Sequence, residues 1–158
     1  MQARRSVAPG LALAGLVSLF LPAAGRAAIT SATVAPTGVA FGAFTGTQKA
    51  TTGTISVIYT GTGNANVTLA LSAGGSGSFG GRKMSHGTAT LTYNLYQDSA
   101  HTIIWGNGAG GGQILSDRVS FMGVSPLTKN YTVFGLLPAQ GQTAPGTYLD
   151  TIVVTLTF

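Results

Sequence analysis

Cysteine is absent from the 158 residues, which removes disulfides, thiolate metal sites and cysteine nucleophiles. Its absence does not fix a compartment, because disulfides are permitted outside the cytoplasm but not required there. Charge is scarce as well. Only 7% of residues are charged, against about 25% in an ordinary soluble domain. The surface must be solvated mainly by Thr, Ser, Asn, Gln and Gly. The formal charge of +5 includes Arg4, Arg5 and Arg26, all near the N-terminus. Beyond them Lys49, Arg82, Lys83, Arg118 and Lys129 face Asp98, Asp117 and Asp150, a net of +2. These cations are scattered apart from the Arg82-Lys83 pair, so the clustered positive face that a nucleic acid requires is missing.

Catalytic chemistry is equally thin. Gly106-Asn-Gly-Ala-Gly-Gly111 fits G-x-G-x-x-G, but a dinucleotide site needs a helix after it and an acid about 20 positions on. A glycine-rich hairpin loop explains it. His86 and His101 are the two histidines, both in polar, turn-like stretches that suit solvated side chains. A Ser-His-Asp set can be assembled by counting, but no G-x-S-x-G elbow occurs. Asp98 and Asp117 could be paired on paper as glycosidase carboxylates, and no D-x-D-x-D-G calcium loop is present. The sequence therefore assigns no catalytic, cofactor-binding or metal residue, and the expectation is a protein that is not an enzyme. A free exported β-sandwich hydrolase is the weakest reading kept.

Residues 1–27 have the order of a secretory signal peptide. Arg4 and Arg5 start it, Leu11 to Leu21 forms an apolar centre, Pro22 breaks it, and Gly25 and Ala27 sit where a signal peptidase needs small side chains. Cleavage is expected after Ala27, leaving one domain over 28–158. A membrane span needs about 20 apolar residues; Pro9-Gly10 and Pro22 bracket a shorter run. No later segment could span, so the mature product is expected to be exported and either soluble or assembled at a surface.

The rest alternates with period 2, the mark of half-buried strands. Ile55, Val57 and Tyr59 alternate with Thr and Ser, broken only by Ile58. Val67, Leu69 and Leu71 form a second face, and Ala89, Leu91, Tyr93 and Leu95 a third. Val119 pairs with Phe121, and Tyr131 with Val133. Tyr148, Ile152, Val154, Leu156 and Phe158 line one side of the last strand. Threonine stiffens such strands and keeps the outer face polar. Turns at Gly61–Asn64, Gly74–Gly77, Gly106–Gly108 and Pro145-Gly146 separate the runs. Many short strands with this punctuation predict an antiparallel β-sandwich, with a closed barrel as the lesser option. Trp105 is expected in the core. Asp98 and Asp150 are expected to fix turns by accepting N–H bonds just downstream, with Arg82 paired to one of them. Asn66-Val-Thr68 and Asn130-Tyr-Thr132 match the glycosylation sequon, which outside a glycosylating host is chance.

Several stretches occur in a telling order: Arg82-Lys83-Met84, Leu91-Thr-Tyr-Asn-Leu-Tyr-Gln-Asp98, Trp105-Gly106, Tyr131-Thr-Val-Phe-Gly135, and Pro145-Gly-Thr-Tyr-Leu-Asp-Thr-Ile-Val-Val-Thr-Leu-Thr-Phe158. Together they resemble the spore coat protein U-like domain, a family that includes subunits of archaic chaperone–usher pili. The resemblance covers about residues 29–158. It implies an immunoglobulin-like sandwich that is incomplete in one subunit. Its groove would be filled first by a strand of a periplasmic assembly chaperone and later by the N-terminal extension of another pilus subunit, with an outer-membrane usher as third partner. No cofactor is implied. Ile152, Val154, Leu156 and Phe158 would be the strand-pairing residues, and basic chaperone residues would grip the Phe158 carboxylate. The reading is of a structural subunit assembled by strand addition. A second reading is a tip adhesin, with Gly-rich loops 74–81 and 106–112 and apolar flanks at Phe79, Ile103, Ile104 and Trp105.

Two departures from the family pattern stand out. The usual cysteine pair is missing; its positions fall near Ile29 and Tyr59. A cut after Ala27 also leaves almost nothing ahead of Ile29-Thr-Ser-Ala-Thr-Val34, whereas a donor strand needs about ten alternating residues. The expectation is a subunit that receives a strand but does not give one, which suits a fibre tip.

Overall fold

The computed structural model describes residues 8–9, 12–15, 29–141 and 144–158. Arg4, Arg5, Pro22, Gly25 and Ala27, on which the signal-peptide reading rests, lie outside the described residues. Eleven strands are described: β1 (Ala8–Pro9), β2 (Ala12–Gly15), β3 (Ile29–Pro36), β4 (Lys49–Gly61), β5 (Asn64–Leu71), β6 (Arg82–His86), β7 (Ala89–Tyr96), β8 (Leu115–Ser120), β9 (Leu127–Leu137), β10 (Thr147–Tyr148) and β11 (Thr151–Thr157). The helical content among the described residues is a single 3₁₀ turn at Gly74–Ser76. No described helix is long and apolar enough to cross a membrane.

The strands form two main sheets. One has the order β3-β4-β9-β7-β6, the other β2-β11-β5-β8, and β1 pairs with β10. Among β3 to β11 every strand-to-strand pairing is antiparallel. The two exceptions involve the N-terminal strands: β1 runs parallel to β10 and β2 parallel to β11. The protein is thus a mainly antiparallel two-sheet β-sandwich, as the alternating pattern predicted, and it fits the immunoglobulin-like form that the family resemblance implied.

The core lies between the sheets and is built from the expected faces. Ile55, Val57, Tyr59, Leu91, Tyr93, Leu95, Tyr131 and Val133 come from one side. Val67, Leu69, Leu71, Val119, Ile152, Val154 and Leu156 come from the other. Ile58 is 43% exposed on the outer face, so it interrupts the composition of β4 but not its alternation. Trp105 is fully buried, and its indole Nε1 donates to the Leu69 carbonyl at 2.9 Å.

Val39, Phe41 and Phe44 also enter the core, from the connection between β3 and β4. They cross over two strand-interior glycines. A Cβ on Gly53 would come within 2.8 Å of Val39 Cγ2, and one on Gly135 within 2.6 Å of Val39 Cγ1. Glycine here makes room for another segment's side chains.

The sheets are tied by polar groups as well. Asp117 on β8 accepts from Lys129 Nζ at 2.6 Å and from the Tyr131 hydroxyl at 2.9 Å, both on β9. Tyr131 in turn shares a 3.1 Å hydrogen bond with Tyr59 on β4.

Candidate strand-acceptor edge

The C-terminal strand β11 is rich in Thr, Val and Ile, whose branched side chains suit the pleated backbone. Its inward residues Ile152, Val154 and Leu156 are fully buried, and Phe158 is half-buried against the same core. The side-chain face and the backbone edge are separate resources. Ser72 N–H donates to the Val153 carbonyl at 3.0 Å, and Val153 N–H donates to Ser72 Oγ at 2.9 Å. Val153 therefore turns its main-chain groups toward β5. Successive residues of a strand face opposite edges, so Ile152, Val154 and Leu156 turn theirs to the other side. On that side β2 stands opposite Thr151 to Val154, with Ile152 level with Leu13 and Val154 level with Gly15. The strand that closes this edge comes from the apolar N-terminal run.

The start of β11 is held firmly. Asp150 Oδ1 accepts from Gly75 N–H at 2.9 Å and from Thr151 N–H at 2.8 Å, while Oδ2 accepts from the Tyr93 hydroxyl at 2.7 Å. Burial first, and then the Asp150 carboxylate, push the Tyr93 hydroxyl far above the usual tyrosine range. Leu149, one residue earlier, exchanges two main-chain hydrogen bonds with Ser85 of β6. The chain thus passes from one sheet to the other and enters β11 in a fixed register. A shallow depression beside this crossing is lined by Ser72, Gly74, Gly75, Ser85, Leu149, Asp150, Thr151 and Val153. Its carboxylate is already engaged by three donors.

Asp98 also behaves as a turn-fixing group. It accepts from Ile103 N–H at 2.8 Å and from Thr102 N–H and Oγ1. Arg82 differs from expectation: it pairs with neither aspartate. It is fully buried, and its guanidinium donates to the Ser72 carbonyl, to Asn94 Oδ1 at 2.6 Å and to the Trp105 carbonyl at 2.6 Å, over the Phe79 ring. Main-chain carbonyls that end β5 and the 105 segment take the place of the carboxylate. The signal for this was in the sequence, since Arg82 shares the face of Met84.

Of the candidate adhesive residues, Phe79 and Trp105 belong to this hub. Phe79 is 8% exposed and Trp105 is buried, while Ile103 and Ile104 are half-buried. The 106–112 loop is a hairpin closed by Gly106 N–H to the Gln113 carbonyl and Gly108 N–H to the Gly112 carbonyl. Its glycines let Gly106 and Gly112 pack against each other and onto Phe79. The large exposed apolar side chains lie elsewhere, at Met122, Val124, Leu149, Ile58 and Ile114. His86 lies tilted against Tyr148, and His101 meets Tyr96 edge-on. Among the described residues no three His, Asp or Glu gather as metal ligands would.

Fold and site together define a two-sheet sandwich whose last strand is closed on one edge by a strand from the N-terminal run. The chain matches the family described as Spore Coat Protein U domain over residues 20–155, and it belongs to that family. It is 37% identical over 114 residues to Protein U of Myxococcus xanthus, a match covering 68% of this chain and 59% of that protein. The chain therefore corresponds to less than two thirds of that relative's length. Among solved structures it is similar to the CsuC–CsuE chaperone–tip adhesion subunit pre-assembly complex from archaic chaperone–usher Csu pili of Acinetobacter baumannii. That similarity has a TM-score of 0.49 and 20% identity, and covers 70% of this chain and 35% of that one.

Proposed function

We propose that this chain is an exported structural subunit of a surface pilus or coat, assembled by strand addition at the free edge of β11 and not by turning over a substrate. The observation that carries the reading is the pairing of β11. Its domain neighbour is β5, and its other edge is taken by Ala12–Gly15, part of a segment read as a removable leader. Once residues 1–27 are cut away, Ile152, Val154 and Leu156 present unpaired N–H and C=O groups over a hydrophobic interior. An edge in that state invites another backbone. A chaperone strand and then a neighbouring subunit are partners of the right chemistry, since main-chain bonds supply affinity and the pockets between inward residues supply register. Membership of the Spore Coat Protein U family supports the same reading.

A cut after Ala27 leaves Ala28 alone ahead of β3, which starts at Ile29. Such a subunit receives a strand and has none to give, which suits the end of a fibre. Intact mass of the exported protein checks this: an N-terminus ten or so residues upstream of Ala28 restores the donor role. The assembly role is checked by exporting residues 28–158 with and without an assembly chaperone of the same pathway. Soluble product that depends on the chaperone is expected. A stable soluble monomer made alone overturns the open edge.

A further inference from the structure

We infer that the N-terminal segment is itself an occupant of the acceptor edge: the uncut chain closes β11 in cis with Ala12–Gly15, and removal of the segment exposes the edge. The inference rests on the strand-acceptor reading and adds that the chain carries its own temporary strand. Four residue pairs place β2 parallel to β11, and two more place β1 parallel to β10, so the two contacts lie on either side of Leu149-Asp150 with the same offset between partners. β2 also lies alongside β3, the edge strand of the opposite sheet. It thus occupies the cleft between the two sheet edges. Thirteen residues separate Gly15 from Ile29; at up to ~3.3 Å each they give ample chain to return to the start of β3. The segment is apolar and small-residued, Leu-Ala-Leu-Ala-Gly from Leu11 to Gly15, and uncharged like the edge it meets.

Ile152 stands level with Leu13 and offers its main-chain groups to β2. In a parallel ladder such a residue bonds to the two neighbours of its opposite number. Ala14 N–H is therefore the donor to the Ile152 carbonyl, while Leu13 N–H points away. Proline lacks that N–H and is tolerated in a strand only where the N–H is unused.

The test is amide hydrogen exchange on the full uncut chain and on two variants, Ala14→Pro and Leu13→Pro. In the uncut chain the Ile152 and Val154 amides are expected to be protected to the level of the β5 amides. Ala14→Pro is expected to speed their exchange about tenfold or more, leaving β5 and β9 unchanged, and Leu13→Pro to do so far less. Fast exchange at Ile152 and Val154 in the unaltered chain overturns the inference without need of any variant. Equal behaviour of the two prolines does so as well. A synthetic peptide of residues 8–17 separates this failure from that of the parent reading. It should bind the Ala14→Pro chain and not the unaltered one. An edge that is open yet takes no apolar strand overturns the acceptor role, whereas an edge open in every form that does take it overturns only the cis closure.

Discussion

A guanidinium shut away from water must find its hydrogen bonds inside the protein. Arg82 finds them on two main-chain carbonyls and Asn94 Oδ1, and Asn94 passes the network on by donating to the Phe79 carbonyl at 2.7 Å. Burial pulls the Arg82 guanidinium down to about 10, against the raising pull of Tyr93 and Asp150, so it stays charged at neutral pH. Truncating it strands three buried acceptors, at about 1–3 kcal/mol each. Arg82→Met is accordingly expected to lower unfolding free energy by about 3 kcal/mol or more, read as a shift of the urea midpoint. Arg82→Lys keeps the charge but not the planar fork, and should fall between the two. Equal midpoints for all three chains would mean that the hub is ornamental. The expectation of an Arg–Asp pair missed this because sequence order shows which charges exist and not which carbonyls end nearby. The face that Arg82 shares with Met84 already marked it as inward.

At the scale of elements, period-2 alternation was legible wherever one sheet face is buried and the other wet. The faces of β4, β5, β7, β9 and β11 came out as read, and so did the turns between them. The connection from Thr37 to Phe44 was not legible, since its three buried side chains follow no strand period. Its imprint was elsewhere, in the glycines inside β4 and β9. Gly135→Ala should overpack against Val39 Cγ1 and the Phe41 ring, which lies 3.0 Å from the added carbon, and cost about 1–3 kcal/mol. Val39→Ala removes the obstructing methyl groups. In a double-mutant cycle the two changes should couple, with Val39→Ala far less costly in the Gly135→Ala background than alone. Strict additivity would show that the segment does not press on β9 as described. The acceptor edge was half legible. The inward set on β11 followed from alternation, but which backbone edge stays free depends on sheet order, which alternation does not encode.

For the molecule as a whole, the question is what keeps two sheets registered without a disulfide. Buried side chains do most of it, and the Asp117–Lys129–Tyr131–Tyr59 chain adds a polar clasp from β8 to β9 and β4. Burial pushes the Asp117 carboxyl up, but Lys129, the Tyr131 hydroxyl and Arg118 N–H outweigh it and hold the group below the usual aspartate range. The same contact, after burial and the Tyr59 hydrogen bond, holds the Tyr131 hydroxyl far above its usual range. Because the folded carboxyl titrates lower than the unfolded one, at about 3.9, the unfolded chain takes up its proton first on acidification. The clasp's contribution is therefore complete above about pH 5 and fades as pH falls through 3.9 and then through the lower folded value. Asp117→Asn keeps the shape and removes that titration. Its stability should be lower than the parent's at pH 7, and the difference should shrink steadily between about pH 5 and pH 2. Urea midpoints of both chains across that range check it. A gap that stays constant with pH would assign the clasp to packing alone. With the charge gone from the only ion pair among the described residues, the sheets would then be held by the apolar contacts between them and the remaining hydrogen bonds.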